Sequence, residues 1–121
     1  MSVYKWNEME NEALTDLISR RYFSGQSMTL ARFSLKKGSI VPAHSHENEQ
    51  FSTVLSGATR FIMDGKEIII TAGETLVIKP FSVHSAEAIE DTDILDVFCP
   101  VRSDWESGAD SYLRGKSDGN S

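Results

Sequence analysis

The sequence predicts an all-β protein, a small barrel or sandwich of antiparallel strands, and two observations support this prediction. From Met28 onward the chain reads as short apolar or alternating segments with turn residues between them, and no helical pattern intervenes. Asp64-Gly65 joins two of these segments and favours a type I′ hairpin turn, which needs positive φ at both central residues. Evenly spaced strands without intervening helices are typical of sandwiches and barrels.

The predicted strands follow one another in a regular order, with turn signals such as Lys37-Gly38, Ser56-Gly57 and Ala72-Gly73 between them. Their sequences are SMTLARFSL, SIVPAHS, QFSTVLS, ATRFIM, KEIIIT, ETLVIK, VHSAEAI and TDILDVF. Residue types in the segment ALTDLISRRYF fit either a short helix or a strand. We expect a short helix or coil there, followed by a strand from about residue 17.

These patterns divide the chain into three parts. Residues 1–24 are expected to form an N-terminal extension with a short helix and a first strand, and residues 25–105 the barrel. Residues 106–121 are expected to form a C-terminal segment that ends in a disordered tail, because the last residues, GKSDGNS, are polar and rich in Gly and Ser.

The amino-acid composition indicates in which cellular compartment the protein works and which kinds of partner it can bind. The 121 residues suit one domain, and 40% hydrophobic with 25% charged residues is ordinary for a globular protein. A net charge of -6 argues against nucleic acid or an anionic membrane as partner. The single cysteine excludes an internal disulfide and fits a reducing compartment. No apolar run approaches the roughly 20 residues of a membrane span, and the polar N-terminus does not resemble a signal peptide, so we expect a cytoplasmic protein.

The histidines point to a metal site. His44 and His46 lie two residues apart, and on a strand such residues face the same side, as two ligands of one ion require. His84 begins a later predicted strand, and Gln50 offers a neutral carbonyl oxygen. Three imidazoles and one oxygen suit Zn, Ni, Fe or Mn. Taken alone, the His-x-His pair is explained equally well by hydrogen-bonded structural histidines.

A carboxylate lies in an unexpected place in the predicted strand TDILDVF. Asp96 shares one strand face with Ile94 and Phe98, and burying a carboxylate between apolar residues is costly unless it is paired or used. Asp96 is therefore either hydrogen-bonded to a backbone amide or to Arg102, or it is a general acid/base beside the metal. We favour the second interpretation.

The residues that follow Asp96 can also be interpreted as structural or as functional. Arg102 can clamp a substrate carboxylate with two hydrogen bonds or form a salt bridge with Asp104 or Asp96. Phe98 is either a packing residue or an aromatic wall beside a sugar ring. Cys99 has the opposite parity to Asp96 and Phe98, and we interpret it as a buried filler.

Two motifs resemble the cupin family. GSIVPAHSHENEQFSTVLSG, from Gly38 to Gly57, has the spacing of the first cupin motif, with Gln50 where most cupins carry glutamate. GETLVIKPFSVHSAEA resembles the second motif, with His84 at the position of the third histidine ligand, although Lys79 and Phe81 depart from the family pattern. The resemblance implies a cupin-type, jelly-roll-like barrel of two antiparallel sheets around one divalent transition metal ion (Zn, Ni, Fe or Mn). The ligands it implies are His44, His46, Gln50 and His84.

A further segment, residues 90–105, makes the family resemblance more specific. Its sequence, EDTDILDVFCPVRSDW, resembles the C-terminal signature of small single-domain cupins related to the KdgF-like pectin-degradation proteins. The resemblance implies functional roles for Asp96, Phe98 and Arg102, and ring opening of 4,5-unsaturated uronates to linear 5-keto-4-deoxyuronates. It also implies a homodimer formed through a strand face or an exchanged terminal strand. The alternatives are a cupin dioxygenase or oxidoreductase that uses the same ligands, and a non-catalytic domain that binds a small ligand.

Overall fold

The protein forms ten β-strands and little helix, in a computed structural model that describes residues 1–115. The strands are β1 Glu12–Ala13, β2 Ile18–Ser24, β3 Thr29–Leu35, β4 Ile40–His44, β5 Glu49–Ser56, β6 Ala58–Met63, β7 Lys66–Thr71, β8 Thr75–Ile78, β9 His84–Ala88 and β10 Thr92–Cys99. The helical elements are a 3₁₀ turn at Trp6–Glu8, the one-turn helix α1 at Ser103–Glu106 and a 3₁₀ turn at Ser111–Arg114.

The strands form two antiparallel sheets that pack face to face. The larger sheet has the order β1-β2-β3-β10-β5-β8, and the smaller sheet has the order β4-β9-β6-β7. Alternate residues of each strand point into the space between the sheets, where Phe33 and Val54 from the larger sheet meet Phe61 from the smaller one. The all-β prediction is confirmed, and each of the eight predicted strands is present.

The hairpin between β6 and β7 has the predicted turn. Asp64 has a φ of 53° and Gly65 a φ of 73°, both in the left-handed region that a type I′ turn requires. The turn places Met63 opposite Lys66 and so fixes the register in which the two strands pair.

The segments on either side of the central strands also pack into the molecule. Residues 18–24 form β2, which pairs along its whole length with β3, so the larger sheet begins within the expected N-terminal extension. After β10, Trp105 and Leu113 are buried in the core. The predicted disordered tail falls largely on residues 116–121, which lie outside the described residues. No helix within residues 1–115 is long and apolar enough to span a membrane.

The alternation predicted for β10 is confirmed, with one error in its interpretation. Ile94, Asp96 and Phe98 are buried, as expected for residues on the face between the sheets. Cys99 is exposed, so its interpretation as a buried filler was wrong. Its opposite parity places it on the outer side of the strand, and that position outweighs the usual preference of cysteine for the interior.

Candidate metal centre

The three histidines come together at one end of the space between the sheets. His44 is the last residue of β4, and His84, the first residue of β9, is its partner in the ladder between these strands. His46 lies beyond the end of β4, in the loop that leads to β5, so strand alternation alone does not explain its position. One ligand nitrogen from each of the three lies within 4.8 Å of the others. This spacing suits three ligands of a single ion.

Backbone carbonyls fix the orientation of all three rings. Nδ1 of His44 bonds to the carbonyl of Pro42 at 2.9 Å, and Nδ1 of His46 to that of Asn48 at 3.1 Å. Nδ1 of His84 bonds in the same way to a neighbouring carbonyl, at 2.8 Å. A carbonyl only accepts, so each Nδ1 carries the proton and each Nε2 keeps a lone pair. Metal-bound histidines are usually held in this way.

Burial keeps the histidines neutral. It lowers the pKa of His44 to about 3, with a further contribution from the charge of His84. It also lowers the pKa of His46 to about 4, with a further contribution from Arg102, and it lowers the pKa of His84 as well. Neutral imidazole is the form that binds metal ions.

Two features show that this site fits a cation. Nε2 of His84 is buried and has no hydrogen-bond partner within the described part of the chain. Nε2 of His46 lies 3.0 Å from Oε1 of Gln50. Because His46 is neutral with its proton on Nδ1, this contact brings two lone pairs together, which is unfavourable unless a positive charge lies beside both. His44, His46, His84 and Gln50 therefore fit a divalent metal ion.

Gln50, Asp96 and Phe98 come from the larger sheet, across the interior from His44 and His84, whereas Arg102 lies after β10, just before α1. Gln50 is on β5, directly opposite Phe98 of β10, and Asp96 faces the same interior. The cavity between the sheets is lined in part by His44, Gln50, His84, Asp96, Phe98 and Arg102. Apart from His46, the predicted polar site residues thus line one cavity.

Asp96 is the most perturbed carboxyl group at this site. It is 6% exposed, and burial raises its pKa to about 7, although a hydrogen bond with Ser52 and the charge of Arg102 oppose the rise. Its Oδ1 is buried without a hydrogen-bond partner among residues 1–115. A group with this pKa exchanges protons readily at neutral pH.

Arg102 is held by other side chains of the protein. Its Nε donates to Asp104 at 2.9 Å, and its Nη2 donates to Asp104 and to the hydroxyl of Tyr112, both at 2.7 Å. Its guanidinium also stacks on Phe98 and Trp105, with 4.6 and 4.5 Å to the ring centroids. The structure thus contains the salt bridge with Asp104 that was one of the two alternatives. A carboxylate clamp would use Nη1 or require the Asp104 pair to open.

Sequence reasoning missed the part that the C-terminal turn plays at the site. The ring of Tyr112 stacks on His44 with 4.4 Å between centroids, and Leu113 lines the cavity. The sequence contains one hint: Tyr112 and Leu113 form an apolar pair in an otherwise polar C-terminal segment. With this turn in place the cavity has a volume of about 50 Å³.

The comparison with protein families matches residues 31–99 to the cupin domain. This chain belongs to the cupin family. The two-sheet barrel and the three-histidine cluster together support a metal-dependent cupin.

Individual cupins resemble this one to different degrees. An oxalate-binding protein of Thermotoga maritima is 30% identical over 82 residues, which cover 67% of this chain and 68% of the relative. The structure of KdgF from a Halomonas species has a TM-score of 0.80 at 23% identity, covering 86% of this chain and 99% of that one. Oxalate decarboxylase of Bacillus subtilis, which has Mn(II) centres, has a TM-score of 0.71 at 18% identity, covering 80% of this chain and 29% of that one. The similarity to the KdgF structure is therefore a similarity of fold that covers the whole barrel.

Proposed function

We propose that this cupin is a metal-dependent enzyme that acts on a small anionic sugar acid. The specific reaction we propose is ring opening of 4,5-unsaturated uronates to 5-keto-4-deoxyuronates. The observation that carries the proposal is Asp96, a buried carboxyl with a free oxygen and a pKa near 7 in the same cavity as His44 and His84. Carboxyl groups with strongly perturbed pKa values in a cavity are typical of catalytic sites.

The proposed reaction needs one residue that moves a proton. His44, His46, His84 and Gln50 would hold a divalent ion, which would supply a Lewis acid for the substrate oxygens. Asp96 accepts the proton of the hydroxyl at C1, the C1 carbonyl forms, and the bond from C1 to the ring oxygen breaks with its electron pair going to that oxygen. The resulting enolate becomes a ketone at C5 when Asp96 delivers the same proton to C4. The product is an isomer, so neither water nor oxygen is consumed.

Phe98 and Arg102 contribute to this reaction by binding the substrate beside the metal centre. The ring of Phe98 provides an apolar wall against which a sugar ring can pack, and it contacts His46 edge-to-face at 5.8 Å between centroids. The positive charge of Arg102, buried beside the cavity, attracts the substrate carboxylate. Both contribute to binding, whereas Asp96 contributes to the chemical step.

The cavity is too small for a sugar acid unless part of the protein moves. A volume of about 50 Å³ accommodates a few water molecules, and a hexuronate is larger. Binding of a sugar acid therefore requires movement of the Ser111–Arg114 turn, which carries Leu113 into the cavity and Tyr112 onto His44. Movement of short capping segments is a common step in enzyme turnover.

The direct test of this proposal is an activity assay on 4,5-unsaturated uronates. We expect the ultraviolet absorbance of the conjugated double bond to disappear in the presence of the metal-loaded protein, at the same rate with and without oxygen. A strict need for oxygen would instead indicate a cupin dioxygenase. No turnover of any uronate would remove this substrate assignment.

A second candidate function is the binding of a small dicarboxylate without turnover. The small cavity favours a ligand smaller than a sugar, and one relative is an oxalate-binding protein. Calorimetric titration with oxalate discriminates between the two functions. Tight oxalate binding together with no uronate turnover would favour this second function.

We also propose that the chain forms a homodimer through the outer face of the larger sheet. Five apolar residues lie in direct register across five neighbouring strands of this face: Phe23, Leu30, Val97, Phe51 and Val77. Phe51 and Val77 are 43% and 49% exposed. A continuous apolar row on a sheet surface is typical of a protein–protein interface.

Size-exclusion chromatography with light scattering tests the dimer. We expect wild type at twice the 13.5 kDa chain mass and Phe51→Glu close to the single mass, because a charge in the row opposes its burial. Ile62→Glu is the matched control, since Ile62 is 47% exposed on the smaller sheet, where Arg60 forms ion pairs with Glu67 and Glu87. A monomeric wild type, or equal masses for the two variants, would contradict the proposed interface.

A further inference from the structure

A continuous chain of buried polar side chains joins the histidine cluster to Asp96. Gln50 and Ser52 point inward from the same strand, and Ser52 lies directly opposite Asp96 on β10. Gln50, Ser52 and Asp96 are 6%, 1% and 6% exposed, so bulk water offers them few alternative partners. Each hydrogen bond in this chain therefore restricts the next one.

Ser52 stands in the middle of this chain and has one hydroxyl proton to donate. Its Oγ accepts a hydrogen bond from Nε2 of Gln50 at 2.8 Å, and the Asp96 carboxyl, directly across the ladder, is the buried acceptor available to its own proton. While its proton points to Asp96, Ser52 can only accept from Gln50, so the amide nitrogen of Gln50 must face Ser52. The amide oxygen is then turned toward His46, where it lies 3.0 Å from Nε2.

The opposite orientation of the Gln50 amide would not bind a metal. With its nitrogen toward His46, the amide would donate a hydrogen bond to the lone pair of Nε2 and offer no oxygen to an ion. That orientation also requires the Ser52 proton to turn from Asp96 to the amide oxygen. Ser52 and Asp96 together therefore favour the orientation in which Gln50 can be a ligand.

We propose that Ser52 is a positioning residue that keeps the Gln50 carbonyl oxygen aimed at the histidine cluster and thereby sets the affinity for metal. The proposal rests on the metal centre of the proposed function and is independent of which reaction the centre performs. Ser52 is not one of the proposed ligands and does not line the cavity, so it acts through Gln50.

The dissociation constant for Zn²⁺ tests this role, measured on tag-free protein by competition with a chromophoric chelator. Ser52→Ala is expected to weaken binding about 10- to 100-fold, the usual effect of losing a group that orients a ligand. Ser39→Ala is the matched control, because the hydroxyl of Ser39 is also buried but has no partner among the described residues. We expect its affinity to equal that of wild type.

A second pair of variants separates the hydroxyl from the packing. Ser52→Thr and Ser52→Val have the same shape and differ only in the hydroxyl group, so neither comparison depends on a cavity left by alanine. We expect Ser52→Thr to bind Zn²⁺ close to wild type and Ser52→Val to show the loss. Equal affinities for these two variants would overturn the proposal.

The final comparison uses Gln50→Glu, whose carboxylate presents an oxygen in either orientation. In this background Ser52→Ala should change the affinity much less than it does with Gln50, which a double-mutant cycle measures. Equal losses in the two backgrounds would indicate a merely structural role and overturn the proposal. Absence of Zn²⁺ binding in wild type would overturn the metal centre together with this proposal, whereas unchanged affinity in Ser52→Ala and Ser52→Val would overturn this proposal alone.

Discussion

Asp96→Asn is expected to reduce turnover of unsaturated uronates by about a hundred-fold or more, the usual contribution of a positioned acid/base. Asparagine keeps the size of the side chain and an oxygen that can accept from Ser52, but it cannot carry a proton between C1 and C4. Metal content should remain close to wild type, because Asp96 is not one of the proposed ligands. Unchanged turnover in this variant would exclude Asp96 as the proton shuttle.

The same substitution has an expected effect on stability in the metal-free protein. The folded-state pKa of Asp96 is raised to about 7, above the ordinary aspartate value of 3.8, so the folded state holds this proton more tightly than the unfolded state. The contribution of Asp96 to stability is therefore present below about pH 4 and is lost as the pH rises to 7. We expect Asp96→Asn to match wild type at pH 4 and to exceed it at pH 8, in urea unfolding at both pH values. An equal difference at the two pH values would contradict the raised pKa.

Substitution of Arg102 is expected to change different kinetic constants from substitution of Asp96. Arg102 attracts the substrate in the ground state and the transition state alike, so Arg102→Ala, which removes the positive charge, should raise KM more than it lowers kcat in the uronate assay. This pattern differs from that of Asp96→Asn, where kcat should fall.

The sequence predicts well the features that depend on neighbouring residues. The period of two in TDILDVF correctly places Ile94, Asp96 and Phe98 inside, and the Asp64-Gly65 pair correctly predicts its turn. Both are local, because parity and turn type are set within a few residues. Cys99 shows how this logic can be misapplied: the parity that placed Asp96 inside also placed Cys99 outside, but the residue type was given more weight.

Features that depend on contacts between distant parts of the chain were harder to predict from the sequence. The contact of His44 with His84 arises from the pairing of β4 with β9, and no sequence pattern specifies that register. His46 joins them from a loop, after β4 has ended. Tyr112 reaches His44 only because the C-terminal segment folds back over the cavity. For this reason the sequence indicated the ligand types but not the covering of the site.

Arg102 illustrates a choice that the sequence left open. Its two alternatives, a substrate clamp and a salt bridge, use the same donors, and the proximity of Asp104 in the chain suits the second. The contacts with Tyr112 and Trp105 come from the segment that follows, whose packing the sequence does not specify. Side-chain partners in such a loop depend on the tertiary structure.

Metal content is the property on which the candidate centre depends most directly. Elemental analysis of protein purified without an affinity tag is expected to show close to one divalent transition metal ion per chain. His44→Ala/His46→Ala should lose nearly all of it, because two of the three neutral imidazoles are removed. Cys99→Ser is the control, since the exposed thiol of Cys99 lies outside the cluster and its loss should leave the metal content unchanged. Equal metal content in wild type and the double histidine variant would contradict the three-histidine centre.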